Sequence, residues 1–306
     1  MKNRITQITA FLFMLTISFS IYGADKPVAI STISGNKLIV SNSNGLVSIL
    51  DSDKMTIKKS MVLMKTIKSA QVSSDGLTYW IFGYDLVNNH GTLMGFDLTT
   101  WKKKSSVECA EVAFSPNGAK AAYRSSTFAK ELKILDLSTG TKTGGVKFNF
   151  TSPDASAEYV GYTGDSKYLF VVERKYGKES REVLKYNGAG YSAKALKKYV
   201  SPIGVSSGFG SGIISKGEEH ILIGWSETLK INADSCSVLD RGYDFCHTFY
   251  GLNSGDYFFI LGSKGNRYKF EDMSKTTIEF EKVNNKFGTV SAATMLDEKT
   301  CIYVTD

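Results

Sequence analysis

Gly204-Val205-Ser206-Ser207-Gly208 has the G-x-S-x-G spacing of a nucleophile elbow, which places a serine on a strained strand-to-helix turn facing an oxyanion hole. The neighbouring residues argue against that chemistry. Positions 201–212 read SPIGVSSGFGSG, a Gly/Ser-rich loop leading into a strand with no helix after it. Gly208, Gly210 and Gly212 likewise lack the flanking strand, helix and final glycine spacing of a dinucleotide fingerprint. Histidines stand only at positions 90, 220 and 247, and cysteines at 109, 236, 246 and 301, without the close spacing that zinc ligands need. Glu218 and Glu219 beside His220 have the residue types for acid/base work, but they are expected in an exposed turn, where nothing buries them or aims them at a pocket. No catalytic, cofactor-binding or metal-ligating residue is therefore predicted, and no cofactor.

The cysteines do not make a disulfide framework in a chain of this size. Residues 237–245, between Cys236 and Cys246, are expected as one extended outer strand. Ten steps at about 3.3 Å would then hold the two sulfurs roughly 33 Å apart, and no 236–246 bridge is predicted. A hairpin turn at Asp240-Arg241-Gly242 would instead bring them face to face.

The elements that must position any site begin after residue 23. Lys2 and Arg4 precede an apolar run, ITAFLFMLTISFSIY at 8–22, which ends at the small residues Gly23 and Ala24; this is the form of a secretory signal. A spanning helix needs about 20 apolar residues, so the run predicts export with cleavage rather than an anchor. The expected division is a signal peptide at 1–23 and one domain at 24–306, with no membrane span in the mature chain. Of 306 residues, 37 are Lys or Arg and 30 are Asp or Glu, and removing 1–23 takes away two of the basic ones. So small an excess, spread along the chain, excludes the concentrated basic stripe of a nucleic-acid binder. Twelve per cent aromatics with 28 glycines and four prolines point to strands and tight turns.

A polar turn between two apolar stretches recurs at Ser34-Gly35-Asn36, Ser74-Asp75-Gly76, Pro116-Asn117-Gly118, Gly164-Asp165-Ser166, Lys216-Gly217-Glu218, Ser254-Gly255-Asp256 and Asp297-Glu298-Lys299. Measured on positions 35, 76, 118, 165, 217, 255 and 298, the steps are 41, 42, 47, 52, 38 and 43. A second marker keeps the same period: a third strand is expected to end at Asp51, Asp97, Asp136, Asn187, Asn232 and Glu271. Within 111–150 the alternation resolves into four short strands, VAFS, AKAAYRSS, LKILDLS and GGVKFNF. A single such sheet cannot cover both of its faces, whereas copies packed around an axis can.

AFSPNG at 113–118 with LKILDLSTG at 132–140, SSDG at 73–76 with Phe96-Asp97-Leu98, and KLIVSNSNGLVSILD at 37–51 resemble the degenerate repeats of WD-like propellers. The exported TolB-like and YVTN-like kinds are the relatives meant. The Trp-Asp and Gly-His pairs of true WD repeats are absent, since the corresponding positions read Leu50-Asp51, Phe96-Asp97 and Leu135-Asp136. The resemblance implies an all-β fold, a single β-propeller. The mature length divided by the repeat gives about 6.4 units, which predicts seven blades with an incomplete last one, or six as the alternative.

In such a ring the second-to-third-strand loops and the connections between blades share one face. The longest are expected at 84–91, 125–131, 173–181 and 200–212. Arg174, Lys175, Tyr176 and Lys178 form a basic and aromatic tip in the third of these and are the candidate binding residues. The expectation is an exported, periplasmic or secreted, non-catalytic platform for a protein or peptide. The alternative is an enzyme or small-ligand binder at the channel mouth, of lactonase-like or quinone-dependent type, by analogy of fold.

Overall fold

The structure is a computed structural model. It describes residues 27–33, 35–54, 56–87, 90–126, 129–147, 155–162, 166–175, 181–187, 197–200, 209–216, 219–224, 228–232, 238–242, 250–254, 257–261, 265–269, 271–272, 274–278, 290–295 and 301–305. Among these, all regular structure is β-strand.

The first sheet is β1 (Pro27–Ile33), β2 (Lys37–Asn42), β3 (Leu46–Asp51) and β4 (Thr56–Val62). The second is β5 (Thr66–Val72), β6 (Thr78–Tyr84), β7 (Gly91–Asp97) and β8 (Lys103–Glu108). The third is β9 (Glu111–Phe114), β10 (Lys120–Arg124), β11 (Glu131–Asp136) and β12 (Lys142–Lys147). The fourth is β13 (Ala155–Tyr162), β14 (Tyr168–Lys175), β15 (Arg181–Asn187) and β16 (Lys197–Val200). The fifth is β17 (Phe209–Lys216), β18 (Glu219–Gly224), β19 (Thr228–Asn232) and β20 (Val238–Gly242). The sixth is β21 (Tyr250–Ser254), β22 (Tyr257–Leu261), β23 (Gly265–Lys269) and β24 (Lys275–Ile278). Two strands, β25 (Val290–Met295) and β26 (Cys301–Thr305), form the last described sheet.

Every sheet is an antiparallel meander in chain order. The first strands touch one another in sequence, β1 to β5 to β9 to β13 to β17 to β21 to β25, and β25 returns to β1. The first strands therefore lie innermost and close a cycle. The recurrent turn triplets mark the step from a first to a second strand, with Lys216 and Ser254 still the last residues of β17 and β21, and Asp51, Asp97, Asp136, Asn187 and Asn232 each end a third strand.

Period-two alternation on the second strands builds the core. On β6, Tyr79 and Ile81 pack with Ile39 and Val47 of the first sheet, while Trp80 and Phe82 face Ala121, Tyr123 and Leu135 of the third. One residue further along β10, Ala122 points the other way, into a cluster with Leu132, Ile134, Val160, Tyr162, Leu169 and Val171. A second strand is thus apolar on both faces because a sheet covers each. Burying one such side chain stabilises the fold by roughly 1.5–3 kcal/mol. Buried aromatic side chains add polar links between sheets: the Tyr79 hydroxyl and Ser41 Oγ lie 2.8 Å apart, and Trp80 Nε1 donates to the Leu137 carbonyl at 2.7 Å. Burial raises the Tyr79 pKa well above a phenol's usual value, so the hydroxyl stays protonated within this link.

The outer fourth strands of the first three sheets are largely exposed where their side chains are described, and each carries lysines: Lys58 and Lys59, Lys103 and Lys104, Lys142 and Lys147. Lysines on an open strand edge oppose edge-to-edge pairing with other chains.

Candidate functional site

Antiparallel order gives every four-stranded sheet two chemically different ends. One end collects the first-to-second and third-to-fourth turns. At the other are the second-to-third loops and the connections to the next sheet.

The turn end is closed by repeated local hydrogen bonds. Ser73 N–H donates to the Thr78 carbonyl, and Ser73 Oγ accepts from Thr78 N–H at 2.9 Å while its single proton goes to Asp75 Oδ1 at 2.5 Å, with the Thr78 carbonyl 3.1 Å away. One sheet later Ser115 Oγ accepts from Lys120 N–H at 2.8 Å and donates to the Lys120 carbonyl at 2.9 Å. Asp75 Oδ1 accepts from Leu77 N–H, and Asn117 Oδ1 accepts from Ala119 N–H. In the third-to-fourth turns, Asp51 Oδ1 accepts from Asp53 and Lys54 N–H, Asp97 Oδ1 from Thr99 and Thr100, and Asp136 Oδ1 from Ser138 and Thr139. These are Asx turns, in which a short carboxylate substitutes for a backbone acceptor. The bonded N–H groups hold Asp51 and Asp97 below the usual carboxylate range, and the Ser73 hydroxyl does the same for Asp75. The acidic beat of the repeat is therefore structural. Its sixth instance was expected at Glu271, but β23 ends at Lys269 and the acceptor is Asp272, whose Oδ1 takes Ser274 N–H at 2.9 Å.

Apolar side chains are exposed at both ends, Ile57 and Leu77 at the turn end and Leu86 and Val87 at the loop end, and Val87 is the most exposed of these. Asp85 Oδ1 accepts from Val87 N–H at 2.6 Å, and Asp85 N–H donates to the His90 carbonyl at 3.2 Å. The loop so closed holds out Leu86 and Val87, which are 57% and 86% exposed. Next to it on the innermost strand, Ile67 pairs with Gly83 and Ser69 with Phe82, leaving Lys68 as the extra residue of a bulge. The Lys68 ammonium lies 4.7 Å from the Tyr84 ring centroid and 5.9 Å from that of Phe82, with the Tyr84 hydroxyl 3.4 Å away. On the third sheet, buried Arg124 pairs with Glu111, its cross-strand neighbour, through Nε at 2.6 Å and also through Nη2. That guanidinium is committed to holding the start of β9 against β10.

The candidate residues at 174–178 divide. Arg174 and Lys175 belong to β14 rather than to a loop, since the strand continues to Lys175 with Arg174 opposite Ser156 and Arg181. Tyr176 and Lys178 lie outside the described residues. Glu219 and His220 are strand residues of β18, not turn residues, and Glu218 lies outside the described residues. Phe209 to Gly212 belong to β17, which shortens the expected Gly/Ser-rich loop, while Gly204 to Gly208 lie outside the described residues. Asp240, Arg241 and Gly242 pair with Lys230, Leu229 and Thr228, so they form a strand and not a hairpin turn; Cys236 and Cys246 lie outside the described residues.

Cys109 is a buried free thiol, and burial pushes its pKa up to about 12, so it is protonated at neutral pH and poorly suited to act as a nucleophile. Among the described residues no group of three or more His, Cys, Asp and Glu is placed to hold a metal ion. Nor, among them, is any helix long and apolar enough to cross a membrane.

No protein-family model and no curated protein sequence matches the chain. Among solved structures it is similar to Kuenenia stuttgartiensis hydrazine synthase, a β-propeller-containing protein, with a TM-score of 0.65 over 91% of this chain and 92% of that one. The fold is a β-propeller. At 14% identity the likeness extends to the fold alone. In propeller terms Lys68 belongs to the innermost strand of its blade, and Leu86 and Val87 to a loop on the same face. The sequence places a loop at 84–91 on this face but singles out neither Lys68 nor the Leu86–Val87 pair. The adjacent apolar pair within a polar-bounded loop was a visible signal, but nothing in the local sequence marks Lys68 as a bulge.

Proposed function

We propose that the chain is an exported, non-catalytic propeller of seven blades, the last incomplete, that serves as a binding platform for a protein or peptide on its loop face. The observation that carries this reading is the adjacent, exposed Leu86–Val87 pair on the loop face. On the described turn face, side-chain acceptors are committed to local N–H groups; the loop face presents Leu86 and Val87 to solvent. Exposed apolar side chains held by a closed loop suit recognition better than solubility. Export rests on the apolar run at 8–22 and its flanking residues.

Arg174, Lys175, Tyr176 and Lys178, at and after the loop-face end of β14, are proposed as part of the binding surface. The test is capture from an envelope extract by the tagged, full-length protein and by its Arg174→Ala/Tyr176→Ala variant. Partners retained by the wild type should be lost or depleted with the variant. Capture indifferent to the pair would remove these residues from the surface, and failure of the wild type to retain any partner would count against the platform itself.

A further inference from the structure

We propose that Lys68, Tyr84 and the Leu86–Val87 tip form a recognition site for an acidic peptide segment, with a carboxylate on the Lys68 ammonium and an adjacent apolar side chain on Leu86 and Val87. This rests on the platform reading and names the chemistry of its ligand.

Three observations converge. The bulge between Ile67 and Ser69 releases Lys68 from a cross-strand partner and re-aims its side chain. Its contacts are the Tyr84 hydroxyl and the Tyr84 and Phe82 rings, and among the described residues it forms no ion pair. An aromatic face steadies an ammonium without neutralising it, so the positive charge remains for a ligand. Leu86 and Val87 follow Tyr84 in the chain by two and three residues, and the bonds within 85–90 hold them in place. A ligand covering them gains apolar burial at little ordering cost to the protein.

Charge complementarity selects an acidic occupant. Lys68 is exposed on this side and, among the described residues, forms no ion pair. A peptide fits better than a bilayer, since one lysine lying on a ring beside a two-residue tip lacks the broad basic and apolar face of a membrane-surface element.

A random peptide library displayed on phage is selected on the immobilised full-length protein. The strongest synthetic peptide is then titrated against wild type, Lys68→Glu, Lys68→Arg, Leu86→Ser/Val87→Ser and Arg174→Ala/Tyr176→Ala, with circular dichroism confirming each fold. The expected peptides carry Asp or Glu beside Leu, Ile or Phe. Lys68→Glu and the double serine variant should each weaken binding by about tenfold or more, and Lys68→Arg should retain it. Peptides without acidic enrichment, or bound equally by Lys68→Glu, overturn this site. If such peptides respond to the 174/176 variant instead, the platform reading survives its loss. Recovery of no peptide overturns both. Binding to phosphatidylglycerol vesicles that depends on Lys68, with no peptide selected, overturns this proposal in favour of a membrane surface.

Discussion

The turn end and the loop end of these sheets solve the same problem in different ways. Chain reversals expose backbone N–H and C=O groups, and each needs a partner. At the turn end the partner is a neighbouring side chain, such as Ser73, Ser115, Asp97 or Asp136, and the solution is copied from sheet to sheet. At the loop end backbone supplies part of the answer: Leu63 N–H donates to the Gly45 carbonyl and Cys109 N–H to Gly91, each within its own sheet, and Ile67 N–H reaches the Ser43 carbonyl of the sheet before it. Both ends also reach the adjoining sheet, the turn end through Ser74 N–H to the Gly118 carbonyl at 2.8 Å and the loop end through Ile67 N–H to Ser43 at 3.0 Å. Asn44 and Asp85 serve as turn acceptors at the loop end as well, and beside Asp85 the side chains of Leu86, Val87 and Lys68 are on offer.

Glycine substitutions should have the largest effects where backbone crowds the site, at Gly45 of the loop end and likewise at Gly118 of the turn end, where a Cβ would lie 2.3 Å from the Val72 carbonyl oxygen. Gly45 has φ +87°, and a Cβ there would lie 1.7 Å from the Met64 carbonyl oxygen, while Gly76 has φ +70° and open space around it. Gly45→Ala combines left-handed strain with a backbone collision and should cost about 3 kcal/mol or more; Gly76→Ala should cost only about 1–2 kcal/mol. Urea unfolding of the two variants measures the gap, and equal losses would mean that the close approach of the Met64 carbonyl to Gly45 carries no weight.

A smaller loss is expected from Ser73→Ala and Ser115→Ala, about 1–2 kcal/mol each, because each buried hydroxyl both accepts and donates within its turn. If each turn is self-sufficient, the two losses add in the double variant. A clear departure from additivity would show that the turns communicate through the sheets.

Acid should act next. The pKa values of Asp51, Asp75, Asp97 and Asp272 are lowered from 3.8, so their contribution is complete above that value and is lost as pH falls through the lower folded-state values. Stability measured by urea midpoint should thus be flat near neutrality and decline below about pH 4. Asp97→Asn keeps an acceptor of the kind that Asn187 and Asn232 place at the same beat, and it should shrink the acid-dependent part of the loss. An unchanged decline would locate the acid sensitivity elsewhere. The smallest effect belongs to Leu86→Ser/Val87→Ser, whose stability should stay within about 0.5 kcal/mol of wild type, since both side chains already face solvent.

Much of the scaffold was legible in the residues because its signals are local. A Gly, Asn or Asp turn between apolar runs depends on φ and short side chains, which act within a few residues. The single slip among the third-strand markers is instructive: an Asx turn needs its carboxylate one carbon from the backbone Cβ, and Glu271 carries one methylene too many where Asp272 fits. Strand ends were less legible. Arg174, Lys175, Glu219 and Phe209 were assigned to loops on their composition, yet each has a cross-strand partner, and pairing with a distant segment decides where a strand stops.

The candidate binding features divide along the same line. Local chemistry by itself determined the seven-beat period, the antiparallel turns and the acceptors that close them, since those interactions span only a few positions. Only the tertiary structure decided that Tyr79 and Trp80 would face different sheets, that Arg124 would be buried against Glu111, and that Lys68 would be the unpaired residue of a bulge lying on Tyr84. Each of those outcomes depends on which strand lies alongside, and a strand's neighbour is set by the closure of the ring, which no short stretch of sequence encodes.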